Sequence, residues 1–124
     1  MVVDVAYVIA GIIGVGIFLV GIRFILQPQA AATGYGVSAP DGPGVYAYLC
    51  VKGGRDIAFG LVTMGLLFAA PVHVFGLFMI IVAAAPIADA IIVFANKGKP
   101  AIALGVHALT AAVCVAAGIL LLVA

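Results

Sequence analysis

Four apolar stretches, each close to the roughly 20 residues that a helix needs to cross a bilayer, take up most of this chain. They run from about 2 to 26, 49 to 70, 72 to 95 and 101 to 124. A stretch of that length is apolar on every side once coiled, so it does not suit the surface of a water-soluble domain. Hydrocarbon accommodates it, provided that the backbone bonds to itself as a helix. Pro71 separates the second and third stretches, and "NKGKP" (96–100) separates the third and fourth. Pro, Gly and Asn do not comfortably prolong a helix, so both segments read as tight turns. Turns that short make successive helices antiparallel. The sequence thus predicts an all-α, integral membrane four-helix transmembrane bundle. It is one transmembrane domain over 1–124, antiparallel, with the termini on the same, outer side.

Composition leaves little room for another class. Hydrophobic residues make up 68% of the 124 and charged residues 7%, with a mean hydropathy of +1.47. A soluble domain is about a quarter charged. The formal net charge of +1 excludes a nucleic-acid partner, which needs a clustered basic face. The first stretch is too long and lacks the basic start of a signal peptide. Cys50 and Cys114 fall at different expected depths, which argues against a disulfide between them.

One connection stands apart. Residues 27–48, "QPQAAATGYGVSAPDGPGVYAY", mix Gly, Pro and Tyr without sustained periodicity. The segment reads as a long interfacial loop along the membrane face, its tyrosines in the headgroup region. Loops of that length are often functional. Arg23, Lys52, Arg55, Lys97 and Lys99 all fall at the end that this loop shares with the 96–100 turn. The other end has no Lys or Arg and carries Asp4 and His73. Excess Lys and Arg mark the cytoplasmic side, so the loop and the 96–100 turn are expected in the cytoplasm of a multi-pass protein of the cell (inner) membrane.

The charges within the spans are few enough to be explained individually. Antiparallel helices bring Arg23, Arg55, Asp56, Asp89 and His107 to one layer near the cytoplasmic side. Ionisable residues inside a membrane are costly and mark functional sites by default. Lys52, Asp56, Gly60 and Thr63 share one helical stripe, whereas Arg55 is turned about 100° from Asp56. His107, Thr110, Cys114 and Gly118 form a second stripe of small or polar residues. Phe78, Val82, Ala85, Pro86 and Asp89 form a third, with Pro86 placed to kink its helix. Gly11, Gly14, Gly16 and Gly21 let another backbone approach the first helix closely. An apolar cleft rising from a polar floor follows from these stripes.

The runs "GIRFILQPQAAATGYGV", "YLCVKGGRDIAFGL", "PIADAIIVF" and "GVHALTAAV" together resemble the small four-helix membrane proteins of the domain-of-unknown-function family DUF4267. These look like distant cousins of the DoxX-like membrane proteins. The resemblance covers nearly the whole chain, and it implies one site built from Arg23, Arg55, Asp56, Asp89 and His107. It implies no particular reaction.

Two function classes fit the residues. The first is a small membrane enzyme working by acid–base chemistry on a lipophilic substrate. There Asp56 or Asp89 is base or nucleophile, His107 is proton shuttle and Arg23 or Arg55 stabilises an anion. Thr63 and Thr110 join the arginines as ligand contacts, and isomerisation, cyclisation or epoxide opening would suit the set. The second is a non-catalytic accessory or lipophile-binding subunit of a larger membrane complex or homo-oligomer, in contact with membrane lipids. One histidine with two arginine-shadowed aspartates is a poor metal set. No P-loop, dinucleotide fingerprint, CxxC or Ser-His-Asp arrangement is present, so neither metal nor cofactor is expected.

Overall fold

Proline and glycine set the helix boundaries. The computed structural model describes residues 1–124 and is all-helical. Helix α1 (Val2–Leu26) ends at Gln27, and Pro28 at once opens α2 (Pro28–Tyr35). Gly36 closes α2 in the left-handed conformation (φ +105°), its N–H donating to the Ala32 and Thr33 carbonyls. Pro43 then opens α3 (Pro43–Ala69). The expected loop over 27–48 is therefore mostly helix, with only residues 36–42 left between α2 and α3. Each proline sits in the first turn, where a missing N–H costs nothing, and the glycine sits just past a helix end. Residues that read as loop formers are here helix boundaries.

The third stretch is one span in two pieces, α4 (Val72–Val82) and α5 (Ala84–Ala95), broken at Ala83. Pro86 has no N–H for the Val82 carbonyl and its ring crowds that carbonyl, so the break falls one turn before the proline. The fourth begins with α6 (Pro100–Ile102), widens into a π segment over Ala103–Ala108, and continues as α7 (Leu109–Leu122). The π turn was not expected from the sequence.

Three helical segments are long and apolar enough to cross a membrane: Val2–Leu26, Val72–Ala95 and Pro100–Leu122. Helix α3 is longer still, 27 residues, but carries Lys52, Arg55 and Asp56.

Small residues decide which helices meet. Helix α1 lies along α3, α4 lies along α7, and α1 also touches α7. A Cβ added to Gly21 would fall 2.6 Å from the Gly53 carbonyl oxygen, and one on Gly60 would fall 2.7 Å from that of Gly14. The α1 and α3 backbones are thus in direct contact, as small residues permit when lipid supplies no hydrophobic drive between helices. Away from the charges, Phe75, Met79 and Leu121 fill a core closed by Ala6, Ala10 and Ala117. Helix α3 has no extended packing against α4 or α5, and a gap remains between them. The Lys99 N–H donates to the Gly36 carbonyl at 3.2 Å, tying the end of α2 to the 96–100 turn.

Candidate functional site

The gap beside α3 widens into a cavity of about 280 Å³. Its apolar wall includes Ile13, Ile17 and Val20 of α1 and Phe59 of α3. Polar side chains arrive along the three stripes legible in the sequence. Asp56, Gly60 and Thr63 are buried on α3, and Asp56 and Thr63 reach the cavity. Val82, Ala85, Pro86 and Asp89 line it from the broken span, and His107, Thr110 and Cys114 from the last one. Asp56, Asp89, His107, Thr63 and Thr110 thus line one surface.

The cation among them is not the one expected. Lys52, one turn before Asp56, puts its Nζ 2.7 Å from Asp56 Oδ2, with the two side chains 26% and 10% exposed. The same ammonium lies 4.8 Å from the Phe24 ring centroid and 4.6 Å from that of Tyr35. A carboxylate and two aromatic faces hold one charge, an arrangement that strengthens as water is excluded. Arg23 and Arg55 are both exposed and form no ion pair. The expected meeting of two arginines with two carboxylates is corrected accordingly. Arg55 follows its own helical phase away from Asp56, and long cationic chains near a helix end reach outward at little cost. Arg23 lies beside Gly34 of α2, away from the cavity lining.

His107 is 8% exposed. Its Nε2–H donates to the Tyr35 backbone carbonyl at 2.9 Å, and the two rings are 4.4 Å apart between centroids. A carbonyl only accepts, so the hydrogen is on Nε2 and Nδ1 carries the lone pair in the neutral ring. His107 belongs to the π segment, a type of turn that recurs at functional sites. Thr63 donates to the Phe59 carbonyl at 2.7 Å and Thr110 to that of Val106 at 2.6 Å. Both hydroxyl hydrogens are spent on their own helices.

Asp89 is half-buried and has no cation within ion-pair distance, since the two ion pairs of the structure are Met1–Asp4 and Lys52–Asp56. Tyr35 lines the same cavity. Burial first, and then the Asp89 and Asp56 carboxylates, push that phenol well above its ordinary range.

Sequence reasoning missed Lys52 and Tyr35 as members of the site. Lys52 had a signal, its four-residue spacing from Asp56. Tyr35 had none, because α2 carries it there from a segment read as loop. His73 and Asp4 are exposed, Cys50 and Cys114 are free thiols, and no three His, Cys, Asp or Glu side chains converge.

The cavity adjoins a second one. A second hollow of about 560 Å³ shares Tyr35, Lys52, Asp56, Phe59 and Asp89 with it and continues past Tyr48, Val51 and Ile92 between α3 and α5. Arg55 stands at its rim.

Long apolar helices around a small cavity with charges at one end define a multi-pass membrane protein. The chain belongs to the family described as Domain of unknown function (DUF4267), which matches residues 14–121. Among curated proteins and solved structures, none matches the chain significantly.

Proposed function

We propose that α3 is a fourth crossing helix and that the cavity holds a lipophilic small molecule taken from the bilayer. Counting about 20 residues back from Ala69 puts the inner boundary near residue 50. Arg55 then lies within about a turn of the headgroups, where it snorkels, and the Lys52–Asp56 pair lies at that boundary. In this reading the end that carries Arg23, Lys97 and Lys99 is cytoplasmic, and the chain is a protein of the cell membrane with its other end outside.

The observation that supports the ligand reading is an apolar cavity of about 280 Å³ with ionisable groups at one end only. A dry apolar cavity of about 150 Å³ already binds benzene, and small-molecule sites are mostly apolar with a few polar groups that set orientation. Retention of lipophile through mild-detergent purification, read by mass spectrometry of extracts, tests it. Gly16 lines the cavity, and a Cβ there meets nothing within 4 Å, so Gly16→Leu fills the cavity without disturbing α1. The parent is expected to carry a lipophile in near-stoichiometric amount and Gly16→Leu to lose it. Equal retention by both, or none by either, refutes the reading.

A second reading, acid–base turnover of that lipophile, draws support from Asp89 and His107 lining one cavity. Asp89 would take a proton, His107 would pass it on, and Lys52 would steady Asp56. Isomerisation, cyclisation and epoxide opening fit such a set. His107→Gln separates the two readings. An amide can keep the bond to the Tyr35 carbonyl but does not take up a proton, so the lipophile is retained while conversion stops. Unchanged conversion removes His107 from the chemistry.

A further inference from the structure

Hydrogen-bonding capacity in the cavity is lopsided. The Thr63 and Thr110 hydroxyls donate to backbone carbonyls, and His107 Nε2–H donates to Tyr35. The Lys52 ammonium is held by Asp56 and by the Phe24 and Tyr35 rings, and among the charged groups Asp89 acts most strongly on the Tyr35 phenol. What remains on the lining accepts: the Asp89 carboxylate and the threonine oxygens. Charge is lopsided in the same sense. Asp56 is neutralised by Lys52, Asp89 has no cationic partner, and Arg55 lines only the outer hollow. A ligand that is itself an acceptor or an anion would leave these groups unpaired, and unpaired buried polar groups are what reject a wrong ligand.

We infer that the cavity selects lipophiles bearing a single cationic amine, with the ammonium against Asp89 and the apolar tail along Ile13, Gly16 and Ile17 of α1. The inference rests on the lipophile-binding reading and adds the class of ligand. The ammonium supplies the donors that the lining lacks and the charge that Asp89 lacks, so charge and hydrogen bonding favour the same head group. The tail then lies in the space that Gly16→Leu fills.

The test uses the full chain in zwitterionic lipid nanodiscs at neutral pH, with three probes of one tail length: octylammonium, octan-1-ol and octanoate. Binding is counted as site-specific only where Gly16→Leu abolishes it. Octylammonium is expected to bind at least about tenfold tighter than octan-1-ol, the effect of one partly buried charge pair, with octanoate weakest. Asp89→Asn is expected to erase the amine advantage while leaving octan-1-ol nearly unchanged, and Asp89→Glu to keep it. The inference is overturned if octanoate binds as tightly as octylammonium, or if the amine advantage survives Asp89→Asn. Octan-1-ol binding as tightly as the amine sinks the inference alone and leaves the lipophile reading standing. If no probe shows Gly16-sensitive binding, both fall. Should Asp89→Asn not fold, the order of the three probes on the parent protein decides.

Discussion

Removing Lys52 is expected to cost more stability than removing the carboxylate it pairs with. Lys52→Met keeps most of the side-chain bulk but strips Asp56 of its counter-ion and leaves it near a second carboxylate, Asp89. Breaking a fully buried pair from one side costs about 3–5 kcal/mol. The Lys52 side chain is 26% exposed, which lowers the figure to roughly 2–3 kcal/mol. The lost attraction to the Phe24 and Tyr35 rings adds about 0.5–1 kcal/mol each. Asp56→Asn is milder, about 1–2 kcal/mol, because the amide oxygen still accepts from Nζ and the ammonium keeps both rings. The double variant carries no uncompensated charge and is expected to be more stable than Lys52→Met alone, a coupling of about 2 kcal/mol. Cys114, 2% exposed, provides the readout, since a thiol-reactive dye reports when the helices separate. At roughly 4 °C per kcal/mol for a chain of this size, Lys52→Met should melt about 12–20 °C below the parent. A double variant as unstable as the sum of the singles would refute the pairing.

Two further outcomes follow from the helix contacts and the charge distribution. Gly60→Ala would place a Cβ 2.7 Å from both the Gly14 carbonyl oxygen and the Phe18 Cβ; α1 and α3 must part, at a cost of about 1–3 kcal/mol, whereas Gly16→Ala should melt like the parent, and equal melting of the two would remove the close seam. In cells, Asn96→Cys is expected to label only from the cytoplasmic side and His73→Cys only from outside, both positions being exposed; labelling of both from one side would sink the proposed topology.

Much of the site was legible because helical periodicity is local. Asp56, Gly60 and Thr63 recur at steps of four and three, so they share a face wherever the helix lies. The same holds for His107, Thr110 and Cys114. Periodicity names a face without naming its partner, which is why Arg23 and Arg55 were expected to join the site. The partner of Asp56 proved to be Lys52, close in sequence and on the correct stripe. Tyr35 could not be read in advance, because it comes within reach only through Pro28, Gly36 and the tie from Lys99 to Gly36.

The sequence alone determined that this is a membrane protein of long apolar helices, with Lys and Arg confined to one end. Those properties follow from composition and from the cost of placing polar groups in hydrocarbon. Only the tertiary structure decided that α3 packs along α1 and stands clear of α5. The physical reason lies in backbone contact: Gly53 and Gly60 admit α1 to within van der Waals range of α3, while Phe59 and the Pro86-broken span leave an opening on the other side. That opening makes a cavity of residues that periodicity could only align.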